Sequence, residues 1–122
     1  MKITAIHHAQ ITVPVGMEDA ARRFYVEVLG LTVTPKPPHM AVRGGFWLQV
    51  GAQQVHVNTE DNDMRARSRA HVAYQVDDLR AARTELATHG IDVIHGDGIP
   101  GYIRCELRDP FGNRIELIQA VS

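Results

Sequence analysis

The sequence predicts an α+β fold in which two βαβββ modules build a cup-shaped mixed sheet with the helices on its outer face. Three observations predict it. Hydrophobic residues run through the order strand, helix, strand, strand, strand, and then repeat that order. The two halves stay in step apart from one three-residue offset. Each strand also has one apolar face, suited to cover by a helix, and one mixed face left over. One domain over residues 1–122 is expected, with module one at about 1–60 and module two at about 69–122.

Module one opens on the alternating ITAIHHAQITV (Ile3–Val13), read as a strand. MEDAARRFYVEVLG (Met17–Gly30) places Ala20, Phe24 and Leu29 in an apolar helical stripe that stops at Gly30. LTVTP (Leu31–Pro35), GFWLQVG (Gly45–Gly51) and QQVHVN (Gln53–Asn58) read as three short strands set apart by Pro and Gly. Acidic EDND (Glu60–Asp63) and basic RARSR (Arg65–Arg69) read as a solvated linker. Module two opens on AHVAYQV (Ala70–Val76). Its helix, DDLRAARTELATHG (Asp77–Gly90), has Asp77 or Asp78 as N-cap and Gly90 as stop. IDVIH (Ile91–His95), YIRCELR (Tyr102–Arg108) and NRIELIQ (Asn113–Gln119) are its remaining strands.

Arithmetic fixes the register of the repeat. His8 placed on His71 leaves valine five residues later in both halves, at Val13 and Val76. His8 to Gly30 and His71 to Gly90 differ in length by three residues, and so do His8 to His56 and His71 to Glu116. A single insertion near Pro14–Gly16 accounts for both. His8 is thus equivalent to His71, and His56 to Glu116. All four fall on the mixed faces, opposite Val55, Val57, Val72, Tyr74, Ile115 and Leu117.

Composition narrows the function. A formal net charge of −1 gives no reason to expect a nucleic-acid or membrane-surface partner. Cys105, the only cysteine, rules out an intrachain disulfide and a thiolate metal cluster, and it reads as core. With no signal-peptide h-region and no long apolar run, a soluble cytoplasmic protein is expected. GDGIPG (Gly96–Gly101) has turn composition and is a candidate lip over the cup; it lacks the strand-to-helix context of a phosphate loop.

A carboxylate in the middle of a core strand needs a partner, because burying an unpaired charge is costly. Three imidazoles and one carboxylate facing one cup, His8, His56, His71 and Glu116, are suited to a divalent metal ion. Such ligands fit zinc, nickel, manganese, cobalt or ferrous iron better than calcium.

HHAQITV, ARRFYVEVLGL, AHVAYQVDDL and above all DPFGNRIELIQ (Asp109–Gln119) carry a family resemblance. The second ends in an F-Y-x-x-x-L-G-L pattern, and the last is close to a D-P-x-G-N-x-x-E-L signature. On these the chain resembles the vicinal oxygen chelate superfamily, the glyoxalase, bleomycin-resistance and extradiol-dioxygenase group. The resemblance covers essentially the whole chain. It implies two βαβββ modules in one cup around a metal, with ligands at His8, His56, His71 and Glu116. The His8, His71 and Glu116 subset resembles the triad of extradiol dioxygenases and fosfomycin-resistance enzymes. The fourth position is commonly Glu in glyoxalase I and Gln in methylmalonyl-CoA epimerase; His56 departs from both.

What the resemblance implies is a metal-dependent lyase, isomerase or dioxygenase that chelates two oxygens of a small metabolite and stabilises an enolate or oxyanion. Its alternative is a metal-free, dimeric binding protein that sequesters a drug, and a homodimer is the expected assembly for either. Glu116 is the first candidate for proton transfer. Glu106 is the second, the other reading being a cross-strand partner of a neighbouring arginine. Arg43 and Arg104 are candidates to meet an anionic substrate, or else surface arginines. Trp47 and Gln49 share a strand face and are candidates to line the cup.

Overall fold

The computed structural model describes residues 1–121 and divides into two compact units, Met1–Asn62 and Asp63–Ser122. Each unit is a βαβββ module with one four-stranded mixed sheet, as the hydrophobic pattern predicts.

In module one, β1 (His8–Val13) lies parallel to β4 (Gln53–Thr59). β3 (Phe46–Val50) and β2 (Thr32–Thr34) follow antiparallel, giving the order β1-β4-β3-β2. The helix begins as α1 (Glu18–Arg22), with Glu18 and Asp19 in its first turn where the helix dipole favours acids. It continues as a π-helix over Arg23–Val28, and the Leu29 N–H reaches the Phe24 carbonyl at 3.0 Å. The widened turn accompanies burial of two adjacent aromatics, Phe24 and Tyr25, packed edge to face. They join Val13, Ala21, Phe46, Leu48, Val55 and Val57 in the core. A short helix α2 (Pro38–Ala41) that the strand pattern did not predict follows β2. Pro38 at its start has the fixed φ that suits a first helical turn.

In module two, β5 (His71–Gln75) lies parallel to β8 (Arg114–Ala120), with β7 (Tyr102–Arg108) and β6 (Ile94–His95) beyond it, in the order β5-β8-β7-β6. α3 (Leu79–Thr88) buries Leu79 and Leu86, two turns apart on one stripe. Of the two predicted N-caps the structure uses Asp78, whose side chain accepts from the Ala81 N–H at 2.9 Å. The Leu79 N–H goes instead to Gln119 Oε1 at 2.7 Å, tying the helix start to β8. Asp78→Ala is expected to lower stability by about 1 kcal/mol, read as a lower urea midpoint with unchanged slope, while Asp78→Ser keeps most of it. No helix among the described residues is long and apolar enough to cross a membrane.

The three-residue offset is visible in the hydrogen-bonded register. His8 faces Gln54 and Gln10 faces His56 across β1 and β4; His71 faces Arg114 and Ala73 faces Glu116 across β5 and β8. Three expectations are corrected. The first strand starts at His8, not Ile3, and β6 keeps only two of the five residues of IDVIH. In the first case Ile3 and Ile6 stay exposed, and among the described residues the pairing with β4 begins at His8. The basic stretch is not wholly solvated. Arg65 is buried in a 3-10 turn (Arg65–Arg67) whose neighbour Ala66 lies against Gly112.

Candidate functional site

In module one the mixed face carries a stack of three flat rings. Trp47 sits opposite His56 in the β3–β4 register, and its indole lies 4.3 Å from the His56 ring at an interplanar angle of 7°. On the other side the His8 ring lies 4.1 Å away at 14°. His56 is thus held between two aromatic planes, and its Nε2 lies 2.9 Å from Gln54 Oε1. An amide oxygen only accepts, so Nε2 carries the proton and Nδ1 keeps the lone pair. Burial, and then the nearby His8, His7 and Lys36, lower the His56 pKa. His8 is exposed and shares a 2.9 Å Nδ1–Nδ1 contact with His7.

The face ends at a turn built from glycine. Gly45 has φ +75°, and a Cβ there would stand 2.4 Å from the Val57 carbonyl oxygen, so no side chain fits. Glu18 Oε2 accepts from the Gly45 N–H at 2.7 Å, and the Lys36 ammonium donates to the Gly44 carbonyl. Arg43 precedes this turn and is exposed. Gln49 spends its amide on its own hairpin. Nε2 donates to the Gly51 and Gln53 carbonyls at 2.8 and 3.1 Å, and Oε1 accepts from Thr34 at 3.1 Å.

In module two the mixed face is charged. Glu116, only 7% exposed, accepts from Arg104 Nη1 at 3.0 Å through Oε1, and His71 Nε2 lies 3.8 Å from the same oxygen. His71 Nδ1 lies 2.9 Å from the Arg69 carbonyl; a carbonyl only accepts, so Nδ1 carries a proton and Nε2 is the ring nitrogen turned to Glu116. Directly across from Glu116 on β7 stands Glu106, whose Oε1 takes Arg114 Nη2 at 2.8 Å. The cross-strand arginine expected as its alternative partner is therefore present. Cys105 is buried, as its pattern predicts, and burial pushes its thiol pKa up.

The donor chemistry of these residues fits a divalent metal ion. In module two a separation of 3.8 Å is too long for a hydrogen bond, yet two ligand bonds of about 2.1 Å can span it. The backbone carbonyl that orients His71 is the outer partner that metal-ligating histidines usually have. In module one the nearly parallel rings do not aim their in-plane lone pairs at a common point, so joint ligation there requires the exposed His8 ring to turn. Among the described residues there is no group of three or more His, Cys, Asp or Glu side chains placed to hold a metal ion.

Reasoning from the sequence missed three partners. Gln54, two residues before His56 on the same face, was findable from alternation alone. Arg104, read as a substrate or surface arginine, instead pairs with Glu116. The Arg69 carbonyl is backbone and leaves no trace in residue identity.

A family model of the Glyoxalase/Bleomycin resistance protein/Dioxygenase superfamily matches residues 5–117. Among solved structures, a Bacillus anthracis protein assigned to the glyoxalase family is 40% identical, with 99% of this chain and 98% of that chain covered and a TM-score of 0.90. Two more distant structures share the fold. One is a lactoylglutathione lyase from Agrobacterium tumefaciens, at 22% identity, 98% and 96% coverage and TM-score 0.72. The other is an antibiotic binding protein from a Streptomyces species, at 23% identity, 99% coverage of both chains and TM-score 0.71. No curated protein sequence is significantly similar to the chain. With the DPFGNRIEL turn and strand, the repeated βαβββ topology and a family match over almost its whole length, the chain belongs to the Glyoxalase/Bleomycin resistance protein/Dioxygenase superfamily.

Proposed function

We propose that this chain is a metal-dependent enzyme of its superfamily, acting on a small oxygenated metabolite that binds through two neighbouring oxygens. His8, His56, His71 and Glu116 supply the ligands of one divalent cation: zinc, nickel, manganese, cobalt or ferrous iron. The observation that carries this reading is the His71–Glu116 pair, an imidazole oriented through Nδ1 with its Nε2 beside a buried carboxylate. The cation, when bound, supplies Lewis-acid stabilisation of negative charge on a substrate oxygen.

The remaining roles belong to the chain itself. Arg104 holds one Glu116 oxygen and fixes the carboxylate in place. Glu116 is the first group proposed to take up and return a substrate proton, and Glu106, across from it and held by Arg114, is the second. Trp47 keeps the His56 ring flat against it and offers an apolar wall. Arg43 is exposed and is the module-one candidate for an anionic substrate group. Gln49 serves the hairpin that carries Trp47, because its amide is already engaged. The working assembly is a homodimer, and the reaction is of lyase, isomerase or dioxygenase type.

Elemental analysis of tag-free protein tests the reading, with His8→Ala and Glu116→Ala beside the parent and circular dichroism to confirm folding. Near-stoichiometric metal in the parent and its loss in both folded variants is the expected result. Metal-free parent protein, even after reconstitution with each candidate ion, would overturn the enzyme reading in favour of ligand sequestration.

A further inference from the structure

Module two holds a second concave site whose lining has a different chemistry. A cleft of about 410 Å³ opens between the start of α3 and the β6–β7 hairpin, lined by Leu79, Arg80, Arg83, His95, Ile103 and Arg104, with Gly96 and Gly98 at its rim. Three of these side chains are guanidinium groups, one is an imidazole, and none is acidic. We propose that this cleft binds a small molecule through a compact oxyanion, a phosphate, phosphonate or carboxylate, carried on a short apolar body.

The charges there are unevenly spent. Arg104 is committed: Nη1 to Glu116 at 3.0 Å and Nε to the Asp97 carbonyl at 2.8 Å. Arg80 and Arg83 form no ion pair among the described residues, whose acid–base pairs involve other side chains. Arg83 Nε is also buried with no hydrogen-bond partner. That Nε has no open surface, so a ligand in the cleft meets the other guanidinium N–H groups of Arg83 and those of Arg80. An oxyanion is the partner such groups select, because guanidinium presents several N–H groups in a fixed fork that carboxylate and phosphate oxygens match.

Of the acids nearby, Asp77 and Asp97 are exposed, and Asp78 has its side chain turned to the Ala81 N–H as the helix cap. Arg83 lies near enough to Cys105 to lower the pKa of that buried thiol, against the larger upward effect of burial, so its charge acts toward the sheet as well as toward water. Leu79 and Ile103 provide the apolar surface, Leu79 buried and Ile103 exposed, and a volume of this size suits a small metabolite. The Gly96–Gly98 rim lies against the Arg104 side chain, with Gly96 leaving room that a Cβ would narrow to 3.2 Å from Arg104 Cγ.

This site does not depend on the metal reading, so the test is run on metal-free full-length protein. Phenyl phosphate, inorganic phosphate and benzoate are titrated separately by isothermal calorimetry and by 1H–15N NMR of the arginine Nε–H region. The expected result is saturable one-to-one binding of phenyl phosphate or benzoate, with a shift of the Arg83 Nε–H resonance. Arg80→Gln and Arg83→Gln are each expected to weaken it about tenfold or more, and Arg67→Gln, whose partner is the exposed Asp63, not at all. Whichever of the two aromatic probes binds tighter identifies the head group, and weaker binding of inorganic phosphate is expected because it lacks the apolar body. Three results would overturn the proposal: no saturation by any probe up to about 10 mM, equal affinities in parent and Arg83→Gln, or an equal loss in Arg67→Gln.

Discussion

Asp109→Ala is expected to lower the unfolding free energy by about 3–5 kcal/mol, the largest effect of any single substitution outside the apolar core. Asp109 is 4% exposed and organises the turn between β7 and β8. Its Oδ1 accepts from the Phe111 and Asn113 N–H groups at 2.9 and 2.8 Å, and Oδ2 accepts from Asn113 Nδ2 at 2.8 Å. Alanine leaves those donors unpaired in a part-buried turn. Gly112 completes the device, with φ +98° and a close approach to Ala66 where a Cβ would meet the backbone nitrogen at 2.8 Å. Arg108 Nη1 then holds the carbonyls of Arg65, Ser68 and Gly112 at 3.0–3.2 Å. Asp109→Asn keeps an acceptor at Oδ1 and is expected to lose less, about 1–2 kcal/mol. Urea unfolding of the three proteins checks this. A loss below about 1 kcal/mol in Asp109→Ala would show that the turn is held by its other contacts.

That turn also explains why so much was legible in the sequence. Asp, Pro, Gly and Asn in DPFGN each meet a separate local demand, so the residues announce the structure without help from distant parts of the chain. The βαβββ repeat was legible for a related reason. Strand alternation and helical stripes are local, and the offset between halves could be counted. What failed was set by neighbours. Among the described residues the segment before His8 has no partner strand, and IDVIH pairs with β7 through two residues only. Arg65 looked solvated because its own flanks are charged, whereas its burial comes from a turn more than 40 residues later. No local pattern marks that.

The candidate site divides along the same line. Faces and the repeat register were readable, so His8, His56, His71 and Glu116 fell at equivalent positions, whereas Trp47 beside His56 comes from the β3–β4 pairing. The use each side chain makes of its hydrogen bonds was not. Gln49 was a candidate to line the cup, yet its amide closes a hairpin, and Glu106 pairs with an arginine as its alternative reading had it. Conformation and partner choice depend on distances of a few ångströms between strands, and side-chain identity constrains those only weakly.

Arg104→Gln is expected to destabilise the metal-free protein by about 2–4 kcal/mol, and a divalent cation is expected to restore more stability to the variant than it adds to the parent. Glu116 is buried, and the Arg104 guanidinium at 3.0 Å is its one permanently charged partner; His71 at 3.8 Å is charged only when protonated. Removing the guanidinium leaves a buried carboxylate uncompensated. The lower part of the range is favoured because the Arg104 side chain is 29% exposed, so water screens part of the interaction. A metal ion bound by Glu116 would replace the missing positive charge. In the parent a cation would meet a carboxylate that Arg104 already compensates. Thermal melting with and without zinc or nickel therefore separates two roles for one carboxylate. A larger metal-induced rise in Tm for Arg104→Gln than for the parent marks Glu116 as a ligand. Equal rises, with Arg104→Gln still destabilised, would leave Glu116 as the partner of an arginine and place the metal elsewhere.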